Sequence, residues 1–242
     1  MSSKNSKLTI LEHLTELRKR LVKIAIVNLI ATLICYQFIH IIMPLILNLS
    51  KGMDLIYISP SELFLVYVKL AIICGIVISS PITLLEVWLF VSKGLYKKEK
   101  IYIVLSLIVG IIFFAVGVIF CYIVVLPITI NFFIGITIED IEPMISISSF
   151  ISFISTMLLS FGAVFEIPIV AFLLSIIGLL KPQMLIKKHS IIILIIFIVA
   201  AVITPPDVVS LTLLAIPMVI LFELSIGICW GVNKIKDKKK NK

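Results

Sequence analysis

Charge is what this sequence has least of. Asp, Glu, Lys and Arg make up 14% of its 242 residues, against roughly 25% in a soluble domain, while 61% are hydrophobic. So thin a charged surface excludes a soluble globular fold and leaves a polytopic membrane protein. The motifs of enzyme chemistry are missing as well: there is no HExxH, GxSxG, P-loop or CxxC. With no metal-dependent, nucleophilic, nucleotide-driven or thiol-redox centre to point to, the reading is a non-enzyme without metal or other cofactor. Cysteine is scarce. Cys35, Cys74, Cys121 and Cys229 each fall inside an apolar run, where a thiol behaves as a small hydrophobe and no disulfide framework is implied. No cleavable leader is expected either: a basic segment precedes an apolar run of full spanning length, with no small-residue cleavage site, so it is expected to remain as an anchor.

Long apolar runs are what the chain has in plenty. A crossing helix needs about 20 residues to traverse roughly 30 Å of hydrocarbon. Runs of that kind are expected at residues 24–47, 66–90, 102–126 and 150–177 and, less regularly, at 208–230. A shorter run at 190–203 gives about 21 Å of helix, and the Thr204-Pro205-Pro206-Asp207 turn forces it into a tight hairpin with the last span. The expected fold is all-α, a single integral membrane domain over residues 1–242 with six transmembrane helices and a short fifth/sixth helix hairpin. Residues 231–242 form a basic cytosolic tail expected to be disordered. Between the third and fourth spans, the apolar stretch from Pro127 is expected to lie as a separate interfacial helix.

The placement of cations tests the span count. Of the 21 Lys and Arg, all but Lys51 and Lys69 fall in residues 1–23, 91–100, 178–189 and 231–242. Six crossings put all four segments on one side, which the positive-inside rule makes the cytosolic one, so both termini are expected there. The same placement explains the net charge of +8 through membrane lipid rather than nucleic acid.

Several acids then need an account. Leu11 to Val22 reads as an amphipathic helix opening near Ile10, with Thr9 and Glu12 as a capping box and its leucines resting on the membrane surface. Within it, Glu16 precedes Arg20 by four residues. Glu16 and Glu99 are single carboxylates in cationic segments, open to two accounts: local ion pairs worth about 0.3 to 0.5 kcal/mol, or an exchangeable pair that takes guanidinium from an incoming peptide. Glu166 lies in the middle of the fourth span, where an ionised carboxylate costs several kcal/mol unless it is paired or faces water. Pro168, two residues on, is expected to kink that helix. Glu86 and Glu223, near the inner ends of their spans, read as structural pairs, and Trp88 as part of the inner aromatic belt.

Taken together, HLTELRKR (13 to 20), WLF (88 to 90) with LYKKE (95 to 99), FGAVFEIP (161 to 168), TPPD (204 to 207), TLLAIP (212 to 217) and FE (222 and 223) resemble the TatC family, six-span receptor subunits of the twin-arginine protein translocase. The resemblance implies recognition of twin-arginine signal peptides of folded precursors at the cytosolic face of a prokaryotic cell membrane. Glu16 and Glu99 match the family's acids for the arginine pair, and Arg18, Trp88, Phe90 and Tyr96 are grouped with them. Glu166 with Pro168, and Asp207 and Glu223, are the intramembrane polar candidates. It further implies single-span partner subunits of TatA/TatB type, self-association in a multi-subunit complex, and export driven by the proton-motive force. Lys93, Lys187 with Lys188, and Leu211 depart from the family pattern. An alternative from the residues alone is an ion-coupled small-solute transporter, with Glu166 and Lys69 as its coupling pair.

Overall fold

A computed structural model of the chain describes residues 10–50, 53–92, 100–135, 144–204 and 207–240. Among them run ten α-helices: α1 (Ile10–Gln37), α2 (Ile39–Leu47), α3 (Pro60–Ser92), α4 (Lys100–Phe120), α5 (Leu126–Gly135), α6 (Ile147–Val164), α7 (Ile167–Ile177), α8 (Pro182–Lys187), α9 (His189–Ile203) and α10 (Val208–Lys240). Five stretches are long and apolar enough to cross a membrane: Leu14–Gln37, Pro60–Phe90, Val104–Gly135, Ile147–Ile177 and Val208–Lys236. The 15-residue α9 supplies the short sixth, packed against α10. The all-α, six-span architecture read from the sequence is the one observed.

Helix boundaries differ from the expected ones where a local feature lets a helix run on. α1 begins at Ile10 and continues without a break through Gln37, so the amphipathic segment is the first turns of the crossing helix rather than a separate helix on the surface. The third crossing does not stop at Leu126. Pro127 has no N–H to give the carbonyl of Ile123, and a regular helix would break there. Instead residues Cys121–Val125 form a wide π turn, in which the Leu126 N–H reaches the Cys121 carbonyl, and the helix proceeds as α5 to Gly135. The interfacial helix expected from Pro127 is therefore a continuation of the third span. α10 likewise extends to Lys240, so the basic tail expected to be disordered is helical as far as that residue.

The helices are held by close approach and by polar seams. α1 and α3 are the most extensively packed pair, α6 leans on α3 and α4, and α7 packs on α10. Along the α1/α3 seam, Asn28 Nδ2 donates to the Ile24 carbonyl at 2.9 Å while its Oδ1 accepts from Ser79 Oγ at 2.7 Å. That is the interhelical role expected of an intramembrane Asn. One turn along α3 the backbones meet at Gly75. A Cβ there would lie 2.7 Å from the Thr32 nitrogen and 2.8 Å from its Cα. Gly75→Ala should thus force the two helices apart and cost about 1–3 kcal/mol, read as a lowered unfolding midpoint in detergent. Gly227, with nothing within 4 Å, serves as the control whose alanine variant keeps the midpoint.

Two further contacts tie the ends. Ser59 and Glu62 form a capping box on α3: the Glu62 N–H donates to Ser59 Oγ at 3.3 Å, and Glu62 Oε2 accepts from the Ile58 N–H at 2.7 Å. The other Glu62 oxygen reaches Ser146, the N-cap of α6, beside a two-residue parallel pairing of β1 (Leu55–Ile56) with β2 (Ile145–Ser146). At the opposite end Gly178 (φ 87°) closes α7 in a Schellman turn, and Lys236 of α10 donates to the Ser175 carbonyl at 3.0 Å and to that of Ile176.

Candidate functional site

Among the described residues, the α1/α3 seam ends in a cluster of four charges. Arg20 turns one edge of its guanidinium to Glu16, with Nε and the adjoining terminal nitrogen each 2.7 Å from Oε1. Its other terminal nitrogen donates to Glu86 Oε2 at 2.8 Å, and Lys23 pairs with the second oxygen of Glu86. The Glu86 side chain is only 3% exposed, whereas Glu16 and Arg20 stay partly open. The i, i+4 pair expected from the sequence is formed, and Glu86 is a structural pair as read. What the residues alone did not reveal is that one arginine serves both acids, reaching Glu86 66 positions along the chain. Arg18 is exposed on the same helix.

Trp88 does not face the membrane interface. It is 6% exposed and packs with Ile169 and Leu173 of α7, because α3 turns that face inward against the second half of the fourth span. Phe90 is half-buried one turn from Glu86. Glu99 and Tyr96 lie outside the described residues, as do Thr9 of the expected capping box, Pro205 and Pro206.

Glu166 stands at a break in the fourth span. Pro168 cannot donate to the Val164 carbonyl, and the ladder tightens around it. The Glu166 N–H reaches back three residues to Ala163 at 3.1 Å, and the Glu166 carbonyl accepts from both Ile169 and Val170 at 3.0 Å. Where Pro168 is expected to kink the helix, the structure interrupts it between Val164 and Ile167, at the α6/α7 junction. Glu166 is 8% exposed as a residue, and both carboxyl oxygens are buried without a hydrogen-bond partner among the described residues. It lies against Gly110 of α4, where a Cβ would come within 3.0 Å of Oε2, so the glycine provides the room the carboxyl occupies. Lys69 is engaged elsewhere, donating to Ser152 Oγ at 2.6 Å. Ser152 precedes Glu166 by 14 positions, about 21 Å along a helix, so the fold does not bring together the coupling pair that a solute transporter would need.

Asp207 caps α10, its Oδ1 accepting from the Ser210 N–H at 2.7 Å. Oδ2 and the Ser210 hydroxyl are buried there without partners among the described residues. Asp207→Ala should cost about 0.5–2 kcal/mol of stability, measured as an SDS-unfolding shift, and Asp207→Asn should recover most of it because the amide oxygen still accepts. Glu223 is paired across the short hairpin with His189 Nε2 at 2.5 Å, the imidazole resting on Phe222.

Comparison with known proteins bears on the whole of this arrangement. Residues 12–217 match the family model described as Sec-independent protein translocase protein (TatC). The chain is 39% identical to the TatC protein of Desulforapulum autotrophicum over 93% of its length and 86% of that protein's. It is 41% identical to one from Helicobacter pylori over 95% and 90%, and 34% identical to that of Escherichia coli K12 over 90% and 86%. Its fold superposes on a crystal structure of the twin-arginine translocase receptor TatC with a TM-score of 0.81 at 33% identity, covering 92% of this chain and 100% of that one.

Proposed function

This chain belongs to the TatC family of Sec-independent protein translocase proteins, and on that premise we propose that it is the receptor at which twin-arginine signal peptides are captured. The observation that carries the reading is the likeness over nearly the full chain to a twin-arginine translocase receptor, together with a carboxylate, Glu16, already paired with a guanidinium. Glu16 and Glu99 take the arginine pair at the cytosolic face, where both termini lie. Guanidinium suits such a site better than ammonium, because its planar fork offers two parallel donors to one carboxylate. The apolar part of the signal then enters the membrane beside the helices. An apolar cavity of about 380 Å³, lined among others by Ile42, Leu45, Leu70, Ile151 and Leu158, offers it a surface there.

Single-span subunits assemble around the receptor, and the proton-motive force drives the passage of the folded cargo. The short α9 supports this last step. Its 15 residues give about 22 Å of helix against roughly 30 Å of hydrocarbon, so lipid beside the α9/α10 hairpin must thin or the hairpin must sink. The test is photo-crosslinking in membrane vesicles from a prokaryotic host: a twin-arginine peptide should label the segment around Glu99, and small single-helix proteins should co-purify with the chain. Solute uptake by the purified chain alone, with no peptide labelling, would reject the reading.

A further inference from the structure

We infer that Arg20 and Glu86 together set the threshold for signal-peptide entry: Arg20 occupies Glu16 as a resident competitor, and Glu86 receives Arg20 when an incoming arginine displaces it. The inference rests on the reading of Glu16 as an arginine acceptor and deepens it. Arg20 presents to Glu16 the two-donor edge that a signal arginine would present. One oxygen of the rim carboxylate is therefore already engaged twice by a guanidinium from its own helix. A newcomer reaches Glu16 from water, since Glu16 is the more open of the two acids, and has to replace that edge.

Replacement is tolerable only because of what stands behind it. Arg20 is largely enclosed, with a side chain 15% exposed, and a buried cation stripped of its partner is strongly unfavourable. Here it would not be stripped. Its third nitrogen keeps Glu86 at 2.8 Å, and Glu86 is nearly sealed from solvent with Lys23 as its second partner. Among the described residues the four groups carry two positive and two negative charges, so when a cation arrives at Glu16, Arg20 and Lys23 still share the Glu86 carboxylate. The same arrangement discriminates. An ammonium offers no planar fork with which to replace a resident guanidinium, so a twin-lysine peptide competes poorly. Glu86 and Arg20 are thus positioning and specificity residues, acting through Glu16.

The experiment is equilibrium binding of a fluorescent twin-arginine peptide, and of its twin-lysine counterpart, to the full chain in lipid nanodiscs. Glu86→Gln should weaken twin-arginine binding about tenfold, the scale of one charge-assisted hydrogen bond, while Glu86→Asp keeps it within about threefold by retaining the charge. Adding Arg20→Gln to Glu86→Gln should restore binding, since the resident that had become immovable is gone. Arg20→Gln alone should narrow the preference for arginine over lysine. A merely structural seam predicts the opposite for the double variant, an added loss. If Glu16→Gln lowers binding but Glu86→Gln does not, or if the double variant is no better than Glu86→Gln, the inference is overturned while the receptor reading stands. If Glu16→Gln binds like the parent chain, the receptor reading of Glu16 falls and the inference with it.

Discussion

Replacing Glu16 or Glu99 with alanine should each reduce crosslinking of a twin-arginine peptide by roughly ten- to a hundredfold, taking about 1.5–3 kcal/mol for a hydrogen bond to a charged group and tenfold per 1.4 kcal/mol. The Glu16 effect should fall near the lower end. Its carboxylate is already engaged by Arg20, so binding exchanges one guanidinium for another and the net gain is smaller than the gross contact. Assembly should survive in both variants. Glu16 sits at the partly open rim of the α1/α3 seam, while the two helices are held by contacts that do not use it: the close approach at Gly75, the Asn28–Ser79 bond, and the pairing of Glu86 with Arg20 and Lys23. Unchanged crosslinking in both variants, with the chain normally inserted, would remove these acids from the site.

The second expected result is a separation of stability from export at Glu166. Glu166→Leu should leave the chain as stable as before or stabilise it by about 1–3 kcal/mol, because it removes a buried carboxyl that has no hydrogen-bond partner among the described residues and substitutes an apolar group of similar bulk. Export of a folded reporter with a twin-arginine signal should nonetheless fall at least about tenfold, since unpaired acids inside membranes are retained for function rather than for packing. Glu166→Gln divides the cause: export near the parent level means polarity suffices, and loss equal to that of leucine means the acid itself is needed. A Glu166→Leu chain that unfolds more easily would mean the carboxyl has a structural partner, and one that exports fully would end its functional candidacy. Gly110→Val provides an independent approach, since it fills the space in which the carboxyl lies.

The crossings were legible because charge and apolar length report the same thing. Nearly all cations fall on one side of a six-span count, and the helices of the structure run where the apolar runs do. Sites fixed within a few residues of themselves were legible as well: the Glu16–Arg20 pair, the break at Glu166 before Pro168, and the end of α9 at Ile203. What escaped were features set by neighbours in space or by a rare backbone form. Pro127 looked like an end because a proline normally is one, and nothing in CYIVV announces a π turn that absorbs it. Trp88 has the composition of an interfacial belt residue, yet the rotation of α3 against α7 buries it. That Arg20 and Lys23 share Glu86 follows from the register of two antiparallel helices, which no local window contains. Asp207 could have been recognised from its place just before a helix as the acid that caps it.

The bond from Glu62 to the N-cap of α6 has a mechanical meaning once it is combined with the break at Glu166. One extremity of α3 and α6 is riveted together, and at the other extremity Lys236 bolts the end of α7 to α10. Between these fixtures the only discontinuity in the fourth span is the Phe165–Glu166 joint. The backbone ladder of the fourth span is thus least complete between two tethered ends, and Glu166 stands at that joint.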